Sequence, residues 1–204
     1  MTRQNHKRGF SLIEAAIVLA VVGGVIGTIW VSAANMYEEY KVSKTVEGVF
    51  TTARNIQNLI SFRDADEMMD ADVTTTELNN TLYNASVFPK DWEFKTYYVK
   101  TALNNTLYVY LSPSDGGRFI IRLSAVKKSQ CIQLTSQITS AAASTNTYGT
   151  GVSRPTLGHI ELRDETFTNV FGTRDFPVSP ETAAAECPDY GVIGLSFGFT
   201  RINN

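Results

Sequence analysis

Glu14 is the only ionisable side chain between Phe10 and Ala34, a run of 25 residues otherwise built from apolar and small side chains. As a helix the run would extend roughly 37 Å at about 1.5 Å per residue, enough to cross a hydrocarbon core of about 30 Å. A carboxylate inside such a span costs on the order of 2.5–3.5 kcal/mol. Glu14 therefore belongs either near one edge of the layer or to a charge pair. The flank MTRQNHKRG supplies Arg3, Lys7 and Arg8 and ends in Gly9. A secretory signal peptide runs from its charges through its apolar region to a small-residue cleavage site. Here the glycine lies between the charges and the apolar run. Cleavage after Gly9 would leave the apolar segment in place and give Phe10 a free α-amino group. That cation would lie near the level of the Glu14 carboxylates of packed neighbouring chains.

The basic flank also sets topology, because positive residues stay in the cytoplasm and the C-terminal portion then faces the periplasm. In that compartment Cys131 and Cys187, the two cysteines of the chain, read as a disulfide. It would close a loop of about 57 residues and contribute about 4 kcal/mol in the chain-entropy picture. No Cys-x-x-Cys spacing exists, so no redox motif is implied. Loss of residues 1–9 would remove three positive charges, taking the formal net charge from −2 to −5. With no basic patch after the apolar run, nucleic acid is not an expected partner.

Other candidate chemistry is weaker. Asp64, Asp66, Glu67, Asp70 and Asp72 crowd residues 63–75, but the spacing lacks the glycine and terminal glutamate of a calcium loop. A solvated loop is the reading. GLSFG, residues 194–198, matches the G-x-S-x-G elbow, yet an elbow needs a strand, a sharp turn and a helix, with acid and histidine following. Six residues follow Gly198 and none is histidine. His6 and His159 cannot build a metal site by themselves, and no Walker-type lysine loop occurs. The chain reads as a non-enzyme, with no cofactor and no metal. Asn79, Asn84 and Asn104 begin N-x-S/T triplets, which arise often by chance.

The elements that must position these residues follow from periodicity. After Ala34 the helical pattern turns amphipathic: Val42, Val46, Val49, Phe50, Ala53, Ile56 and Ile60 recur at steps of three and four, which predicts one helix to about residue 61. TTTELNNTLYNAS reads as a short helix or capped turn. TLYVYLS and RFIIRLS around PSDGG read as a hairpin. AVKKSQCIQLTSQITSAAA reads as a helix, STNTYGTGVSRPTLG as a loop and GHIELRD as a short strand. RDFPVSPETAAAECPDYG, with Pro177, Pro180 and Pro188, reads as irregular. YGVIGLSFGFTRI closes the chain as a strand with Ile193, Leu195, Phe197 and Phe199 on the core face and Gly194, Ser196 and Gly198 on the other.

KRGFSLIEAAIV resembles the class III signal of type IV prepilins. The resemblance implies cleavage after Gly9 by a prepilin peptidase, methylation of Phe10 by the same enzyme, and a role for Glu14 in subunit register and assembly. SQCIQLTSQI, with a second cysteine shortly before YGVIGLSFGF, is similar to type IVb pilins of the toxin-coregulated class. That family is α+β: a long N-terminal helix packs on an antiparallel sheet whose final strand is inserted within the sheet. A disulfide-bracketed C-terminal region, here Cys131 to Cys187, forms much of the outer surface of its filaments. The nine-residue leader and Phe10 follow the type IVa pattern instead. No proline precedes Pro89, so Gly23, Gly24 and Gly27 are the candidates for loosening the helix, and Gly23 and Gly27 form a Gly-x-x-x-Gly pair. The implied organisation is a leader at 1–9, a transmembrane and filament-core segment at 10–34, and a periplasmic or extracellular head with the amphipathic half-helix at 35–204. The implied function is that of a major pilin. It would sit as a single-pass precursor in the bacterial inner membrane, in contact with lipid, prepilin peptidase and the pilus assembly machinery. It would then join a homo-oligomeric extracellular filament. A minor pilin or type II secretion pseudopilin shares the same signal, and a single-span adhesin or enzyme is the more distant alternative.

Overall fold

The computed structural model describes residues 12–61, 74–112, 118–145 and 156–198. The chain divides into two compact units, Met1–Tyr40 and Lys41–Asn204. The first helix, α1 (Leu12–Ser61), has residues in both and ends where the amphipathic pattern predicts. In the first unit its residues 12–40 are exposed all round. No proline interrupts them, and the helix is continuous through Gly23, Gly24 and Gly27, whose Cβ positions would meet nothing within 4 Å.

In the second unit the predicted stripe of α1 is core. Val42, Val46, Val49, Ala53, Ile56 and Ile60 are buried and Phe50 packs against them. Gly48 interrupts the helix surface for a physical reason: a Cβ there would stand 2.1 Å from Cζ2 of Trp92, so the indole packs against bare backbone. The helix α2 (Thr75–Asn84) begins with a capping box in which the Thr74 side chain accepts from Glu77 N–H and the Glu77 carboxylate accepts from Thr74 N–H. Two orphan donors of the first turn are thereby satisfied.

The sheet is seven-stranded and antiparallel throughout, in the order β1-β2-β3-β4-β7-β5-β6. Its strands are β1 (Glu93–Lys95), β2 (Tyr98–Lys100), β3 (Thr106–Ser112), β4 (Arg118–Lys127), β5 (Thr156–Asp164), β6 (Asn169–Thr173) and β7 (Tyr190–Gly198). The last strand lies inside the sheet, between β4 and β5. There Ile193, Leu195 and Phe197 enter the core as their alternation predicts, and the Phe197 ring stacks on Phe119 and meets Phe50 edge-on. Phe199, the PSDGG turn and the acidic stretch at 62–73 lie outside the described residues. The hairpin strands on either side of PSDGG pair from Thr106↔Ser124 to Ser112↔Arg118.

Two expectations are corrected. The helix read from residue 125 begins at Lys128, as α3 (Lys128–Thr145), because β4 continues to Lys127. The continuation passes through Ala125 at φ 62°, where the register shifts. The Asn105 amide donates to Ala125 O at 2.6 Å and the Gln130 side chain accepts from Lys127 N–H. These two polar side chains stabilise a conformation that alanine alone disfavours. The stretch read as irregular contains α4 (Pro180–Glu186), capped by Ser179, with Pro180 in the first turn. A proline there is helix-compatible because its missing N–H would have had no partner anyway.

Candidate functional site

Glu14 stands in the first turn of α1, where the partial positive charge of the helix N-terminus favours a carboxylate. Around and beyond it the surface is apolar: Leu12 is 89% exposed, Leu19 72% and Trp30 72%. This helix is long and apolar enough to cross a membrane. A patch of this kind on a soluble chain marks a surface meant for a partner or a lipid phase. Gly9 and Phe10 lie outside the described residues.

Cys131 and Cys187 form a disulfide, with Cα atoms 5.9 Å apart and a sequence separation of 56. Cys131 is in the first turn of α3 and Cys187 is the C-cap of α4. The bond joins the two helices that begin and end the bracketed region. Backbone contacts reinforce it: Lys128 N–H donates to Asp189 O, and Val178 N–H donates to the Thr139 hydroxyl. The Thr139 hydroxyl in turn donates to Thr135 O at 2.8 Å, so one side chain bridges α3 and the approach to α4.

The GLSFG sequence lies wholly within β7. Ser196 is thus in extended backbone between two paired strands and does not occupy a nucleophile elbow. His159 is on β5, opposite Ser196 in the register. Among the described residues no group of three or more His, Cys, Asp and Glu side chains could hold a metal ion. Of the asparagines in N-x-S/T triplets, Asn79 is buried. Its amide donates to Val109 O at 2.7 Å and accepts from Val109 N–H at 2.9 Å. Asn84 and Asn104 are exposed.

Among solved structures the chain is similar to the crystal structure of a type IV b pilin from Salmonella typhi. The TM-score is 0.54, over 78% of this chain and 99% of that one, at 15% sequence identity. The fold is that of a type IV pilin. No protein-family model matches the sequence, and no curated protein is similar to it at the sequence level. At 15% identity the likeness is one of fold, and this chain has the features that the resemblance to type IVb pilins implied: a long apolar N-terminal helix, an antiparallel sheet and a disulfide in the C-terminal region.

Sequence reasoning passed over one part of this pilin fold. The strand RFIIRLS holds two arginines that belong to no recognised motif. Its alternation already set Arg118 and Arg122 on one face, and in the structure both lie on the sheet face opposite the core. There Arg122 donates to the hydroxyls of Tyr108 and Tyr110, at 3.3 and 2.8 Å.

Proposed function

We propose that this chain is the major structural subunit of a type IV pilus. In this reading prepilin peptidase cuts after Gly9 and methylates Phe10, and residues 10–34 hold the precursor in the inner membrane. The subunit then leaves the bilayer laterally into the base of a growing filament. The observation that carries the reading is the exposed apolar surface of α1 on a chain with the type IV pilin fold. Hydrophobic surface of that extent is stable only against lipid before assembly and against neighbouring helices afterwards.

Within the bundle Glu14 would pair with the Phe10 amine of an adjacent subunit. Losing one partner of a buried pair costs about 3–5 kcal/mol, because the other charge is left uncompensated. The subunits meet through unlike surfaces, so the contact does not close and a helix grows. The cysteine-bracketed region would contribute to the outer surface. The deciding experiment is intact mass and N-terminal sequencing of the protein in sheared surface material. A chain starting at methylated Phe10 supports the reading. A chain that keeps residues 1–9 and stays in the membrane overturns it.

A further inference from the structure

The sheet ends in β1 on one side and β6 on the other, and each end carries an aromatic feature open to solvent. The hairpin from β5 to β6 turns through Asp164-Glu165-Thr166-Phe167-Thr168-Asn169. Asp164 holds this turn. Its carboxylate accepts from Thr166 N–H, Thr168 N–H and the Thr166 hydroxyl, at 2.9, 2.9 and 2.7 Å. Its backbone C=O accepts from Phe167 N–H, and its N–H donates to Thr168 O. Phe167 stands there at φ 61°, a left-handed conformation that glycine or asparagine adopts at less cost. Its ring is 52% exposed and joins no aromatic pair among the described residues. A large apolar side chain held strained, rigid and exposed does little for its own head. Strain of this kind concentrates at functional positions, and rigid aromatics are the usual anchors of protein interfaces.

The β1 side offers a groove. After α2 the chain turns at Ser86, φ 57°, with Ser86 N–H donating to Tyr83 O and Val87 N–H to Leu82 O. The Asn55 side chain on α1 donates to Val87 O at 2.9 Å and ties this turn to the head. Next to it lies a groove of about 370 Å³, lined by the buried Phe88 and Trp92, by Pro89 and by the half-exposed Tyr83. The Tyr83 ring is fixed by stacking on Phe94 of β1, with centroids 4.1 Å apart. The groove is therefore formed before anything enters it, as binding pockets usually are. Lys90 is the one charged side chain in its lining.

The two features complement each other in shape and charge. The hairpin turn presents an aromatic knob beside two carboxylates and holds no cation. The groove presents aromatic walls and one ammonium. Among the described residues neither Glu165 nor Lys90 has an ion-pair partner. The outermost strands are six spacings apart, roughly 29 Å at about 4.8 Å per strand, so a chain cannot seat its own knob in its own groove. We propose that Phe167 of one subunit inserts into the groove formed by Tyr83, Phe88, Pro89 and Trp92 of a second copy of this chain, with Glu165 of the first meeting Lys90 of the second. Each copy uses its knob and offers its groove, so the contact is heterologous and copies add without pairing off. This contact rests on the filament-subunit reading and gives that reading a specific junction between heads.

Glu165→Cys and Lys90→Cys are introduced together, with Phe167 left in place, and sheared filaments from the producing bacterium are treated with a short bismaleimide, which spares the Cys131–Cys187 disulfide. Denaturing electrophoresis is expected to show a ladder of dimer, trimer and higher species, whereas each single-cysteine chain stops at the dimer. Phe167→Gly in the double-cysteine chain should slow crosslinking about tenfold or more. It also relieves the left-handed strain, so its urea midpoint in detergent is expected at or above that of the unsubstituted chain, which separates a lost contact from a lost fold. In the native-cysteine chain, Glu165→Lys or Lys90→Glu alone should reduce the number of filaments, and the two together should restore it. The contact is overturned, with the subunit reading left standing, if filaments form but give no ladder, if Phe167→Gly leaves the ladder unchanged, or if the charge exchange restores nothing. If the unsubstituted chain forms no filaments, the subunit reading fails and the contact falls with it.

Discussion

Asn79 provides the sharpest test of how the head is held together. Strand β2 pairs with β3 only at Leu107 and Thr106, so beyond Leu107 the edge of β3 needs another partner. The Asn79 amide takes that place, closing a two-bond ring with the N–H and C=O of Val109, and its NH2 also donates to Thr75 O at 2.7 Å. Both Asn79 and Val109 are buried. In Asn79→Ala the two Val109 groups lose their partner away from water, at about 1–3 kcal/mol each. Partial entry of water would offset some of this, so a net loss of about 3 kcal/mol is expected. Asn79→Leu fills the space but cannot satisfy backbone groups, so it should lose as much; an apolar replacement is benign only when both partners can be replaced. Asn79→Asp keeps the acceptor for Val109 N–H and turns a donor into an oxygen facing Val109 O. Burial and that carbonyl disfavour its ionised form. The Asp variant should therefore be weakest at neutral pH and recover as pH falls and the carboxyl gains a proton to donate. The assay is urea unfolding of the full chain in detergent, followed by Trp92 fluorescence in a Trp30→Phe background. An Asn79→Leu chain as stable as its parent would refute the reasoning.

Four further outcomes are expected. Glu14→Ala should insert into the membrane at least as well as the unsubstituted chain, since a costly carboxylate is gone, yet yield few or no surface filaments by electron microscopy; normal piliation would remove the proposed pairing with Phe10. Replacing both Cys131 and Cys187 by alanine should lower unfolding stability by about 4 kcal/mol, the loop-entropy contribution for a separation of 56 residues, read from the urea midpoint. Gly48→Ala gains about 1 kcal/mol of helix propensity, but its Cβ would collide with the Trp92 ring; overpacking of this kind typically costs 1–3 kcal/mol or more, so a net loss is expected, and a rise in melting temperature would contradict it. Hydrogen bonds from Thr74 hold the Glu77 carboxyl below the usual range. Its contribution to α2 is therefore present at neutral pH and lost as pH falls through the lowered value, so the stability gap between Glu77→Gln and the unsubstituted chain should close in acid.

The legible parts of the fold were those with a repeated pattern. The stripe from Val42 to Ile60 and the alternation in β7 each repeat several times, and the structure buries Val42, Val46, Val49, Ala53, Ile56 and Ile60 of the one and Ile193, Leu195 and Phe197 of the other. Strands β1 and β2, of three residues each, are too short to show a period. Strand β6 skips Val170 in its pairing with β5, where the register shifts, so its alternation is broken within five residues. The missed helix α4 carried its signal in plain view: Ser179-Pro180-Glu181 is a cap, a first-turn proline and a first-turn acid. The three prolines nearby carry the signature of breakers, yet Pro180 is a helix start. The extension of β4 to Lys127 depends on Asn105 and Gln130, contacts that local sequence cannot reveal.

The two stretches of α1 obey different rules, and the difference bears on the proposed assembly. Residues 42–60 carry one apolar stripe, and the rest of the head covers it. Residues 12–34 are apolar on every side, and a helix of that kind needs cover all round; here it is exposed all round. Packing among such helices is strong but poorly defined along the axis, because sliding one past another by a turn, about 5.4 Å, exchanges one apolar contact for another. A charge is not interchangeable in this way. A single carboxylate in an otherwise apolar surface has one low-energy position relative to a single cation, and every other offset leaves both desolvated and apart. In the proposed filament Glu14 and the Phe10 amine would supply that one position. The apolar side chains then account for adhesion and the charge pair for register, so a subunit without Glu14 should still associate with its neighbours yet fail to add in the one offset that lets a filament grow.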